Sequence, residues 1–207
     1  YCMKVYFCHP ENEPAELVEQ SQFKEQRTVA GLSPINFELD WNTNYCSVNN
    51  KIINPGVKLI DYDDQYIDVR EQDILGPKPV IQLKFPMFTF WTYDPDIWIY
   101  QYDYPMTALD NNFVAVGAWW NLSNWVRNTN TGIVPVDINN PITIRKDDPL
   151  FRISFYHKDM KGDIILEQKD ENEIPQDMKD RRESQFKIID DAPTSLPEKL
   201  FCPYDKN

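Results

Sequence analysis

Histidine is nearly absent from this chain, with only His9 and His157 in 207 residues. Glycine is scarce at six, and the sequence holds no G-x-G-x-x-G, no Walker loop and no G-x-S-x-G. Phosphate-cradling loops and nucleophile elbows need such glycines, so the common nucleotide-binding and hydrolase signatures are missing. No stretch approaches roughly 18 consecutive apolar residues, the length that reads as a membrane span. Positive charge is short as well: 21 Lys and Arg stand against 33 Asp and Glu, a net charge of −12. That balance argues against gripping nucleic-acid backbone, which needs clustered base, and equally against docking on an anionic membrane. The four cysteines, at 2, 8, 46 and 202, include no C-x-x-C knuckle. At this density they read as free, mostly buried thiols of a reduced compartment. The start, Tyr1-Cys2-Met3-Lys4-Val5, lacks the basic-then-apolar order of a signal peptide, although a first residue other than Met leaves room for a removed leader. The expected setting is the cytoplasm or a virion.

Catalytic and metal signatures fare no better. His157-Lys158-Asp159 reproduces the H-x-D half of a non-haem iron triad, but that site needs a second imidazole, and no His follows. Cys and His never share a zinc-type spacing. Paired acids (Asp63-Asp64, Asp147-Asp148, Asp190-Asp191) point to opposite faces if extended, whereas glycosidase chemistry needs two carboxyls facing across a cleft. We therefore expect no catalytic residue, no metal and no cofactor; whether the chain is an enzyme stays open, leaning against.

What is present is unevenly spread. Between Lys84 and Arg127 there is no Lys or Arg, and five of the six tryptophans lie there. Aromatic and β-branched residues of this density suit a pleated, half-buried surface. Trp98, Tyr100, Tyr102 and Tyr104 fall on one face of an extended chain, opposite Ile97, Ile99, Gln101 and Asp103, which is a strand period. The same alternation runs through 78–85 and 150–156, where Phe151, Ile153 and Phe155 should share one buried face. Further strands are expected at 57–62, 65–70, 112–120, 133–137 and 141–145. Sixteen prolines and many Asn/Asp clusters break the chain every eight to twelve residues, the spacing of an antiparallel sandwich or barrel. With so little Gly, turns must rely on Pro, Asn and Asp.

Two helices are expected to flank this core. Residues 13–21 have an acidic start with Pro14 suited to a first turn. A charged helix within 170–186 begins near Pro175, with Ile174, Met178, Arg181 and Arg182 along one side. The organisation read from these signals is an N-terminal strand and helical arm over 1–34, a β-rich core over 35–168, and a charged helix with a Pro-rich arm over 169–207. Leu196, Leu200 and Phe201, spaced among prolines, are the expected partner-binding residues of that arm.

Trp119-Trp120-Asn121-Leu122-Ser123-Asn124-Trp125 supports two readings. Three tryptophans around two amides suit a ligand or partner pocket. Equally, consecutive tryptophans on a strand fill opposite faces, one in the core and one under a covering neighbour. The candidate ligand-binding set is Trp91, Trp98, Tyr100, Asp103, Trp119, Asn121 and Trp125, imagined as an aromatic cleft.

The run Phe88-Thr89-Phe90, then Trp98 to Pro105, then Val116-Gly-Ala-Trp-Trp-Asn121, then Asn139 to Phe155 resembles the central pattern of an uncharacterised family of bacterial and phage proteins. The family's glycine-glutamate-proline turn is replaced here by Lys146-Asp147-Asp148-Pro149. The resemblance implies a jelly-roll or cupin-like barrel. It transfers no catalytic residue, and the cupin metal histidines have no match. The expected fold is all-β, a jelly-roll-like antiparallel sandwich or barrel with short helical N- and C-terminal arms. The expected function is a non-enzymatic protein-interaction or structural component, with phage virion association implied by the resemblance, that meets a protein partner or itself through the terminal arms. The alternative is a small-molecule or carbohydrate-binding protein, or a cupin-like enzyme, using the aromatic cleft.

Overall fold

The structure, a computed structural model, describes residues 2–9, 16–20, 23–71 and 79–190. Its strands are β1 (Cys2–Cys8), β2 (Leu17–Glu19), β3 (Gln26–Leu32), β4 (Phe37–Asp40), β5 (Tyr45–Val48), β6 (Lys51–Ile52), β7 (Ile67–Glu71), β8 (Pro79–Trp91), β9 (Ile97–Asp103), β10 (Phe113–Ala115), β11 (Ala118–Asn121), β12 (Arg127–Pro135), β13 (Ile142–Ile144), β14 (Pro149–His157) and β15 (Asp163–Gln168). A four-residue helix α1 (Thr107–Asp110) follows β9, and α2 (Gln176–Asp190) follows β15.

The strands form three sheets. A six-stranded sheet runs β10-β12-β8-β1-β15 with β7 also paired to β8, a five-stranded sheet runs β11-β9-β14-β3-β2, and a four-stranded sheet runs β13-β4-β5-β6. The first two face each other. Phe90 of β8 lies 5.0 Å from Phe155 of β14, ring to ring, and Gln101 of β9 donates its Nε2 hydrogen to Thr131 of β12 at 3.0 Å. The third sheet closes one end, where Phe37 of β4 meets Phe85 of β8 at 5.4 Å. The core is mostly β as expected, but it has three sheets where a jelly roll has two, and β1 pairs with β15 in parallel.

The period-two reading holds where it was clearest. Phe151, Ile153 and Phe155 are fully buried. Turn chemistry also follows composition: seven of the eight non-Gly residues with positive φ are Asn or Asp, among them Asn44, Asn112 and Asp147. Asn112 shows how such a turn is held, since its side chain donates to Asp137 O and Asn140 O and accepts from Asp137 N. Gly31 is required for packing. A Cβ there would sit 2.5 Å from Phe151 Cζ, so β14 presses its ring onto bare backbone.

Three expectations are corrected. The N-terminal arm has no helix among the described residues: Leu17–Glu19 is edge strand β2 paired to β3. Its helical signals are overridden because Val18 finds a partner in Ala30 across the ladder. The single strand expected over 112–120 is two strands in two sheets, broken at Val116-Gly117. Residues 57–62 form turns rather than a strand, with only an isolated bridge following, Asp63 to Asp68.

The C-terminal helix starts at Gln176, one residue past Pro175. Ile174 and Met178 are buried against Cys8, Trp91 and Val126, a second apolar cluster on the outside of the six-stranded sheet. Glu167 links this corner by accepting from Lys4 and Lys169, and the two ammonium groups hold its carboxyl below the usual range. The expected arm residues Leu196, Leu200 and Phe201 lie outside the described residues.

Candidate functional site

The five-stranded sheet has an inner face sealed mostly by aliphatic and Phe side chains, with Gln101 and Trp120 among them, and an outer face of another composition. Its outer positions follow from the register. Tyr100 stands opposite Trp119 of β11 and Ser154 of β14, Trp98 opposite Asn121 and Tyr156, and Tyr102 opposite Arg152. Thr28 and Ala30 of β3 continue the face, and Val18 of β2 ends it. No Asp or Glu occupies these positions, in a chain with 33 of them.

The rings are ordered among themselves. Trp98 and Trp119 lie 5.1 Å apart, centroid to centroid, at 45°. Tyr100 and Tyr102 stack at 4.9 Å and 15°. The Arg152 guanidinium sits 5.8 Å from the Tyr102 ring and 5.1 Å from that of Tyr104, extending the column by cation–π contact. Beneath it, the hydroxyls of Tyr102, Ser154 and Thr28 form a hydrogen-bonded chain at 3.2 and 2.8 Å. Trp119 keeps 47% of its surface in solvent and Tyr100 44%.

Four of the expected ligand residues therefore come together on this face: Trp98, Tyr100, Trp119 and Asn121. The Asn121 amide oxygen is buried with no donor among the described residues. The other three lie elsewhere. Trp91 is buried at the end of β8, stacked on Tyr6 at 5.8 Å in the cluster beneath α2. Trp125 packs half-buried on the main core. Asp103 points the other way and is a structural clamp, accepting from Thr107 Oγ1 at 2.8 Å and Ala115 N at 2.9 Å, so that it ties α1 and β10 to β9. The aromatic surface is thus a sheet face rather than a cleft. Sequence reasoning missed Arg152 and Tyr156 as members, although their alternation in 150–156 put them on the side opposite the buried phenylalanines.

Other chemistry is quiet. Among the described residues no group of three or more His, Cys, Asp or Glu side chains could hold a metal. Cys8 and Cys46 are buried thiols, and burial pushes them up to about 11 and about 12. Cys2 is exposed. No helix among the described residues is long and apolar enough to cross a membrane.

No family model matches the chain, and a search of curated proteins finds no similar one. Among solved structures it is similar to the dUTPase of Staphylococcus bacteriophage 80alpha, with a TM-score of 0.41 and 7% identity over 74% of this chain and 89% of that one.

Proposed function

We propose that the chain is a non-enzymatic protein-interaction component that presents the outer face of its five-stranded sheet to a protein partner. The observation that carries this reading is a carboxylate-free face of Trp98, Tyr100, Tyr102, Trp119 and Arg152 on a protein of net charge −12. Trp, Tyr and Arg supply most of the binding energy in protein interfaces, and charged residues are depleted at interface centres. Ring packing favours a protein over a carbohydrate. Sugar stacking needs an open ring face, whereas Tyr100 and Tyr102 stack on each other and Arg152 lies over the Tyr102 ring. The arm carrying Leu196, Leu200 and Phe201 would add to this surface, and a phage particle is the setting that the sequence resemblance implies.

The test uses the intact chain and a Trp119→Ala/Tyr100→Ala double variant as baits in host extract, followed by calorimetric titration of the purified partner. The double variant should weaken binding by about tenfold or more with an unchanged melting temperature. Equal affinity of the two baits for the purified partner would overturn the reading.

A further inference from the structure

A cleft of about 690 Å³ opens beside the last ring of the aromatic column, between the Tyr104–Asn111 turn and the Thr143–Pro149 turn. Its volume lies within the range of small-molecule sites. The floor is tied together. Asn111, more than nine-tenths buried, donates through Nδ2 to Thr143 O at 2.8 Å and to Asp148 Oδ2 at 3.0 Å. The same Asp148 oxygen accepts the Arg145 backbone N–H at 2.8 Å, which fixes the turn that carries the Arg145 side chain. Tyr104 and the half-exposed Met106 supply an apolar wall.

Of the three charged side chains that line this cleft, Asp148 accepts from Asn111 and the Arg145 backbone, and the other two, of opposite sign, do not meet. Neither the Arg145 guanidinium nor the Asp110 carboxylate forms an ion pair with any described residue, although each lines the same space. An unpaired Arg in a chain this acidic leaves a fork of donors available, matched in geometry to a carboxylate. An unpaired Asp across the gap is an acceptor for an ammonium group.

We propose that this cleft binds a small zwitterion of the amino-acid class, its carboxylate on Arg145, its ammonium on Asp110 and its side chain against Tyr104 and Met106. The site adjoins the aromatic face at Tyr104 but does not depend on the protein-interaction reading. Selectivity comes from reach: an anion alone meets only Arg145 and a cation alone only Asp110, whereas a zwitterion meets both at once.

The test follows the Met106 methyl resonance of the full chain, assigned through Met106→Leu, while each of the twenty L-amino acids, glycylglycine, acetate and methylamine is added at millimolar concentration. At least one amino acid or the dipeptide should shift the resonance saturably, and acetate and methylamine should not. Arg145→Gln and Asp110→Asn should each weaken that binding by about tenfold or more, and Arg145→Lys should retain part of it. Both positions are exposed, and unchanged circular dichroism and melting temperature would show the variants folded. No shift with any of the zwitterions, equal binding of acetate, or binding insensitive to both variants would overturn the proposal.

Discussion

On β9, Ile97, Ile99 and Gln101 are sealed in the core, while Trp98, Tyr100 and Tyr102 on the opposite side keep contact with solvent. Ring area alone would send the larger side chains inward. The sorting instead follows the polar handle. Phe85, Phe88, Phe90, Phe113, Phe151 and Phe155, which carry no hydrogen-bonding group, fill the interior at 2% exposure or less. Tyr and Trp of β9 and β11 stand outside, except Trp120, where O–H and N–H groups need no buried partner. The inner face holds the fold together. The outer face, ordered but half-wet, is the side available for recognition.

The largest test of this contrast is on the inner face. Phe155→Ala, which removes the ring touching Phe90, should destabilise the protein by about 3–5 kcal/mol in denaturant unfolding. A loss under about 1 kcal/mol would mean that the two large sheets are not packed through this residue. Next comes Gly31→Ala, whose methyl collides with Phe151. It should cost about 1–3 kcal/mol, and Phe151→Leu in the same chain should recover part of it by making room. On the outer face, Tyr100→Ala should change stability by no more than about 0.5 kcal/mol. A cost similar to that of Phe155→Ala would make the outer rings structural and erase the distinction.

Thiols probe the same inside-outside division. In a Cys202→Ser chain near pH 8, Cys2 should react promptly with a disulfide reagent, and Cys8 and Cys46 should not. Ending that chain before Ile174 should expose Cys8, which Ile174 and Met178 help cover, and leave Cys46 protected. Because both buried thiols titrate higher folded than unfolded, they favour the native state below their ordinary value of about 9. That contribution should fade as pH rises toward 11–12, so the unfolding midpoint should fall over that window. The smallest effect is at Glu167. Lys169→Gln should move its carboxyl titration back up toward the ordinary range, read by carbon NMR.

Much of the sandwich was legible because period-two alternation assigns faces without knowledge of neighbours. The buried trio of β14 and the aromatic side of β9 were read that way. Which strands lie side by side was not legible. Trp98 meets Trp119 only through the antiparallel β9–β11 register, and Trp91, equally aromatic in sequence, is carried by β8 into the other sheet. The break at Val116-Gly117 hides inside a continuous apolar run, since residues 113–115 and 118–120 on either side are alike in composition. Leu17–Glu19 was misread because a three-residue edge strand has no local signature and exists only by pairing with β3. The cleft was invisible for the same reason: Asp110 and Arg145 belong to different turns, brought together by Asn111 reaching Thr143.

The parallel register of β1 with β15, Cys2 beside Asp163 through Phe7 beside Gln168, sets an order of events during synthesis. Strand β1 leaves the ribosome long before either of its sheet neighbours, β8 and β15, has been made. Until then its apolar Met3, Val5 and Cys8 are carried by a nascent chain with two unpaired edges. Pairing that joins such distant segments is slow, because a long loop must close first. The half-made sheet is therefore at its most adhesive just before β15 is made, and its closure waits for that strand.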